Sequence, residues 1–93
     1  MSAQEIEKVV ILCIKENLEF SGESVPSITG NTKPASDLIG FDSLRTLEVL
    51  ISIEEKLGYE LSPDQVFSGA SFEDVTVTSI ALAIEKIEGD SGQ

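Results

Sequence analysis

The sequence predicts an all-α fold: a small four-helix bundle with three main helices, one short helix before the last, and a long first loop. Three observations support this prediction. The 93 residues are 41% hydrophobic, which is enough for one small domain with a modest core. Apolar residues recur at helical spacing in the segments assigned to the main helices. Helix-start signals stand at Ser2, Asp42 and Ser62.

The first helix begins with a capping box, in which the Ser2 side chain caps the helix and Glu5 reaches back to it. The run Val9–Leu12 is equally compatible with a buried strand. The cap and the flanking charges favour a helix, which we expect to end near Asn17. Its apolar face consists of Ile6, Val9, Val10, Cys13 and Ile14.

A long connection from Leu18 to Ser36 follows the first helix. Pro26, Gly30 and Pro34 interrupt regular structure in it. Three apolar side chains are expected to hold this region against the core, namely Val25, Ile28 and Leu38.

The second helix is expected over Ser43–Leu57, with Asp42 as its N-cap and Gly58 just after its end. Two residues fit its pattern poorly. Val49 falls among polar residues, and Glu54 lies inside the apolar arc. The predicted buried side consists of Leu44, Leu47, Leu50, Ile51 and Leu57.

The pair Ser62–Pro63 is a strong start signal for a short helix, which we expect to end by Phe67. A final helix is expected to begin after Thr76 or Thr78 and to run to Ile87. Its inner face is predicted to consist of Val77, Ile80, Ala81, Ile84 and Ile87. We assign residues 1–88 to one domain and residues 89–93 to a disordered tail.

Composition narrows the classes of function. The chain has 17 acidic and 6 basic residues, and this net charge of −11 disfavours nucleic acid and anionic lipid surfaces but attracts proteins with basic patches. It contains no His, the commonest general base and zinc ligand. With no metal motif either, we predict neither an enzyme nor a metal site.

Three further features bear on the cellular setting. Cys13 is the single cysteine, so no intrachain disulfide can form, which fits a reducing compartment. The N-terminus lacks the apolar core of a secretory signal, and no apolar run is long enough to span a membrane. We therefore expect a cytoplasmic protein.

Ser43 is the residue most indicative of function. In the first turn of a helix, backbone N–H groups lack intrahelical acceptors and favour negative charge, so a phosphate is readily accommodated there. As a nucleophile Ser43 would need a base, which the sequence does not offer. Asp-Ser alone is a common helix start, but here it belongs to a wider pattern. That pattern consists of Gly40–Leu44, Glu48, Glu54–Glu55 and Pro63–Asp64.

This pattern resembles the acyl carrier protein family over nearly the whole chain. The resemblance implies that Ser43 carries a 4′-phosphopantetheine arm whose thiol holds acyl groups as thioesters. It also implies that a phosphopantetheinyl transferase installs the arm from coenzyme A, and that the other partners are acyl-transferring and acyl-modifying enzymes with basic patches. Such carriers serve fatty-acid, polyketide or related lipid synthesis, and they are monomers.

The resemblance also implies roles for surface and core residues. The second helix is the family's main docking element, and its docking candidates here are Asp42, Leu44, Glu48, Val49, Glu54 and Glu55. The family shelters acyl chains between its helices, and the candidate pocket residues here are Leu47, Ile51, Phe67, Ile80, Ala81 and Ile84. Plain core packing is the alternative for each pocket residue.

Three departures from the family pattern favour a specialised carrier over a housekeeping one: Arg45 soon after the serine, an extra Ile39, and an inserted Ser62. Two alternatives stay open. The first is a peptidyl or D-alanyl carrier, although the strong acidity and Asp42 favour an acyl carrier. The second is an unmodified protein-interaction module on the same scaffold.

Overall fold

The computed structural model describes residues 2–38, 41–67 and 72–91, and these residues form a helical bundle. The all-α prediction is confirmed. Two short elements were not predicted: a helical turn after the long loop and a 3-10 turn before the last helix. The helices are α1 (Ala3–Phe20), α2 (Pro34–Asp37), α3 (Ser43–Leu57), α4 (Pro63–Val66) and α5 (Val77–Ser91), and the 3-10 turn is Phe72–Asp74.

α1 begins with the predicted capping box. The Glu5 amide donates to Ser2 Oγ at 3.2 Å, and the Ser2 amide donates to Glu5 Oε1 at 3.3 Å. The helix continues to Phe20, three residues beyond the predicted end at Asn17. Its buried face extends through Leu18, and the chain turns only at Gly22, whose φ of 77° is unfavourable for other residues.

α1 packs against both α3 and α5, and the three long helices enclose the core. Cys13 lies within it, and burial raises the pKa of its thiol to about 11, which keeps the thiol protonated. The predicted apolar faces of α1 and α5 are confirmed. The fully buried core side chains include Ile6, Val10, Cys13 and Ile14 of α1, Ile53 of α3, and Val77, Ala81 and Ile84 of α5.

α3 has the predicted bounds, with Asp42 as N-cap and Gly58 in the left-handed region at φ 85°. Its buried face, however, is not the predicted one. Leu50 is buried as expected and Leu57 is partly buried, but the other three predicted members lie on the surface. These exposed residues are Leu44, Leu47 and Ile51.

The true buried face of α3 is the arc of Thr46, Val49, Leu50 and Ile53. The helix has two largely apolar stripes in its sequence. The buried stripe contains the polar residue Thr46, so periodicity favoured the other stripe as the buried one. The burial of Thr46 is tolerated because its Oγ1 donates to the Asp42 carbonyl at 2.9 Å.

The long loop is anchored as predicted by Ile28 and Leu38, whereas Val25 is exposed and the prediction for it was wrong. The loop also caps α5. The Thr78 amide donates to the Gly30 carbonyl at 2.9 Å, and the Val77 amide donates to the Thr32 carbonyl at 3.0 Å. The loop thereby satisfies N–H groups that a helix start leaves without intrahelical partners.

α4 starts at Pro63 as predicted, but the Ser62 side chain makes no capping hydrogen bond. α5 starts at Val77, within the predicted window, and continues past Ile87 to Ser91. Residues 89–91 are therefore helical where a disordered tail was predicted, while 92 and 93 lie outside the described residues. The Tyr59 hydroxyl donates to Glu88 Oε2 at 2.8 Å, and this bond holds the last turns of α5 against the segment after α3.

Candidate functional site

Ser43 is the first residue of α3 and follows the N-cap residue Asp42. Asp42 has an extended backbone, and its carboxylate accepts a hydrogen bond from the Arg45 amide at 3.0 Å. The Asp42 carbonyl accepts from the Thr46 amide at 3.0 Å. By helix geometry the amides of Ser43 and Leu44 have no intrahelical acceptor, so the positive end of the helix dipole lies at this serine. Gly40, which belongs to the predicted motif, and Ile39, one of the departures from the family pattern, lie outside the described residues.

The neighbours of Ser43 differ sharply in exposure. Phe41 is buried and anchors the segment in the core. Asp42 is exposed, and the Leu44 side chain is 64% exposed. The start of α3 is thus fixed from beneath by an aromatic ring and is flanked by residues that face water.

Arg45 connects the start of α3 to the end of α1. Its Nε and Nη2 donate to Asn17 Oδ1 at 3.0 and 2.8 Å, and Nη2 also donates to Ser21 Oγ at 3.2 Å. Nη1 forms an ion pair with Glu23. The guanidinium carbon also lies 5.5 Å from the centre of the Phe41 ring, within the range of a cation–π contact.

This Arg45 cluster was not found from the sequence, where Arg45 was only a departure from the family pattern. Its side chain is just 14% exposed, so its charge is directed into the fold. The local sequence gave no signal, because the partners lie 22–28 residues away along the chain. Arg45 therefore fixes the position of the α3 start relative to α1.

The predicted docking residues fall into two groups. Asp42, Leu44, Glu48 and Glu55 are exposed, so they are available to a partner. Val49 is only 5% exposed and packs in the core, so its assignment to the docking surface was wrong.

Glu54, which the sequence left unexplained, is partly buried. Its Oε2 accepts a hydrogen bond from the Leu61 amide at 2.6 Å. Glu54 therefore stabilises the connection between α3 and α4, and this role accounts for a carboxylate inside the apolar arc.

The predicted pocket residues are likewise divided. Phe67 and Ile80 line an apolar cavity of about 20 Å³ close to the start of α3. Ala81 and Ile84 are fully buried in the core, whereas Leu47 and Ile51 are exposed, so the latter two are not interior residues. The other residues that line the cavity are Ile14, Pro34, Phe41, Thr46, Val49, Leu50 and Ile53. A volume of about 20 Å³ accommodates roughly one water molecule, so this cavity is essentially closed.

A helical bundle with a serine at the start of its second long helix is the architecture of a small carrier domain. Comparison with protein-family models supports this classification. The family described as the phosphopantetheine attachment site matches residues 8–84, and the chain therefore belongs to this family. Its domains are the site of covalent 4′-phosphopantetheine attachment and are not catalytic themselves. Searches of curated proteins and of solved structures gave no match.

The family assignment agrees with the architecture of the described part of the chain. The match includes Ser43 and extends from within α1 to within α5. Carrier domains interact with partner enzymes and with the transferases that modify them. Within the described residues, none of the helices combines the length and the apolar character needed to cross a membrane.

Proposed function

We propose that Ser43 bears the 4′-phosphopantetheine arm and that the protein is an acyl carrier. In this role it would present acyl intermediates to enzymes of fatty-acid, polyketide or related lipid synthesis. The observation that carries the proposal is the position of Ser43, which lies within the matched segment at the N-terminus of α3, between the exposed residues Asp42 and Leu44. When attached, the arm supplies a thiol that holds acyl groups as thioesters.

The residues around Ser43 fit such an attachment. The Ser43 oxygen would attack the pyrophosphate phosphorus of coenzyme A that bears the pantetheine arm, and its proton would pass to a base on the transferase. The new phosphodiester bond would replace the P–O bond that joins this phosphorus to the rest of coenzyme A, and adenosine 3′,5′-bisphosphate would leave. The free amides of the first turn favour the added negative charge. Arg45 and Phe41 hold the first turn of α3 in place, so the backbone that carries Ser43 would be fixed when the transferase binds.

The exposed acids on α3 support docking to basic enzyme surfaces. Asp42, Glu48 and Glu55 face solvent, and Leu44 adds an apolar contact beside the serine. Exposed ion pairs contribute only about 0–1 kcal/mol each and are screened by salt. Such contacts are suited to a carrier that must bind several enzymes briefly. Glu54 has a smaller part in this proposal, because its carboxylate already binds the Leu61 amide.

Sheltering of the acyl chain would use the cavity between the helices. Phe67 and Ile80 line it and are the pocket candidates that the geometry supports best. Because the cavity is nearly closed, an acyl chain would have to displace these side chains or move the helices that carry them. Monomeric behaviour and a cytoplasmic location complete the proposal, and the unpaired, buried Cys13 is consistent with a reducing compartment.

Modification in vitro tests the proposed site. Purified protein is incubated with a phosphopantetheinyl transferase and coenzyme A, and its intact mass is measured. The wild-type protein should gain one phosphopantetheine group, and Ser43→Ala should gain none. Ser62→Ala is the matched control, since Ser62 likewise lies at a helix start, as the residue before α4, and is exposed and makes no capping bond. Modification of folded Ser43→Ala, or its absence in the folded wild type, would exclude Ser43 as the attachment residue.

A further inference from the structure

A groove of about 500 Å³ runs between the end of α1 and the middle of α3. Two large apolar side chains line it. Phe20, from the last turn of α1, is 95% exposed, and Ile51 of α3 is 55% exposed. The cavity described above lies inside the bundle, whereas this groove is open on the surface.

Phe20 and Ile51 extend an apolar stripe that runs along the outside of α3. Leu44, Leu47 and Ile51 recur at helical spacing and are all exposed, and the groove connects the last of them to Phe20. Single exposed apolar residues are ordinary on protein surfaces. A connected set that spans two helices is less usual and is typical of an interaction site.

The groove lies within reach of any enzyme that acts at Ser43. Ile51 is eight residues further along α3, which corresponds to about 12 Å along the helix axis. A transient protein interface covers roughly 600–800 Å² on each partner, which corresponds to a circular patch of about 14–16 Å radius. A partner centred on the α3 start therefore reaches Ile51, which lines the groove.

The charges at the groove define the chemistry of the partner. Glu48 and Glu16 both line it. Glu48 Oε1 accepts a long hydrogen bond of 3.5 Å from Asn17 Nδ2, and Glu16 is paired with Lys56 at 3.2 Å. The whole chain has a net charge of −11. Apolar side chains beside a weakly bonded carboxylate are complementary to an apolar side chain flanked by Lys or Arg.

We propose that the groove of Phe20, Ile51, Glu16 and Glu48 is part of the docking surface for the enzyme that modifies Ser43, and that this enzyme inserts an apolar side chain flanked by a cationic one. The inference rests on the proposed function, because it takes Ser43 as the point of reaction. It extends the docking surface from α3 onto the end of α1.

Steady-state kinetics with a phosphopantetheinyl transferase, coenzyme A and the unmodified protein test this proposal. Phe20→Gln and Ile51→Gln should each raise the KM for the protein about fivefold to tenfold and leave kcat within twofold. Glu48→Gln should raise KM at low salt, and the effect should disappear as salt screens the contact. Glutamine is chosen because it keeps helix propensity high.

Two controls on α5 match these variants. The exposed fraction of Leu82 is 52%, which is similar to that of Ile51. Glu85 is exposed, as Glu48 is. Leu82→Gln and Glu85→Gln should leave KM unchanged. If Phe20→Gln and Ile51→Gln behave like Leu82→Gln, the groove is not a docking surface and the inference is overturned.

Other occupants of the groove give different results. If a second copy of the chain occupies it, sedimentation will show a wild-type dimer that Phe20→Gln dissociates, and the inference fails. If the wild type is never modified, the proposed function fails instead. Modification of the wild type with an unchanged KM for both groove variants refutes the groove alone. The two failures are therefore distinguishable.

Discussion

Replacing Arg45 tests whether its cluster holds the start of α3 in place. Arg45→Met keeps much of the side-chain length and removes the charge and all the donors. Asn17 and Ser21 lose hydrogen bonds, and Glu23 loses its ion-pair partner. Because the Arg45 side chain is mostly buried, its loss should cost more than that of an ordinary surface cation.

The expected loss can be worked out from these contacts. A hydrogen bond to a charged group contributes about 1.5–3 kcal/mol, and a cation–π contact at a partly exposed site adds about 0.5–1 kcal/mol. Glu23 is partly exposed, which weakens the ion pair. We expect Arg45→Met to lower the free energy of unfolding by about 2–4 kcal/mol. For a domain of this size, that corresponds to a Tm lower by about 8–30 °C.

Urea and thermal denaturation followed by circular dichroism measure this loss. Lys56→Met is the matched control, because Lys56 also bridges α1 and α3, through Glu16, but in a more exposed pair. It should cost less than about 1 kcal/mol. A double-mutant cycle of Arg45→Met with Glu23→Gln should give a coupling energy of about 1 kcal/mol. Equal losses for Arg45→Met and Lys56→Met would refute the structural role assigned to the Arg45 cluster.

Two further substitution pairs test the packing of α3 and of the long loop. Ile53→Ala should lower the free energy of unfolding by about 2–5 kcal/mol, because Ile53 is buried. Ile51→Ala should change it by less than about 1 kcal/mol, because Ile51 is exposed. Urea denaturation compares the two variants, and equal losses would contradict the buried face described above. Gly30→Ala should destabilise the fold by about 1–3 kcal/mol, because a Cβ there would collide with neighbouring side chains. Gly89 lies within a helix and has open space for a Cβ, so Gly89→Ala should stabilise the fold by up to about 1 kcal/mol. Thermal melts of the glycine variants check the two opposite signs, and a stabilised Gly30→Ala would show that the loop does not pack closely there.

Local signals in the sequence were sufficient to place the helix starts. The capping box at Ser2, the cap at Asp42 and the proline at Pro63 act within a few residues, so their structural effect can be derived from the chain alone. Gly58 fixed the end of α3 for the same reason. The identity of Ser43 as the candidate site depended on such a signal together with the family pattern.

Features that depend on distant partners could not be predicted from the sequence. α3 has two apolar stripes, and only its contacts with other helices decide which one is buried. Thr46 is polar in sequence, but a bond to the Asp42 carbonyl allows its burial. Arg45 and Glu54 have partners that lie in other segments. Hydrophobic periodicity alone carries no information about such pairs.

The small volume enclosed between Phe41 and Phe67 has a consequence for a carrier of acyl chains. This cavity holds about one water molecule, so each methylene of an acyl chain that entered it would have to be matched by an expansion of the bundle. The work of expansion would grow with the length of the chain and would oppose the gain from removing the chain from water. If the protein carries an acyl chain in this way, the balance of the two would relate the length of the chain to the spacing between the helices.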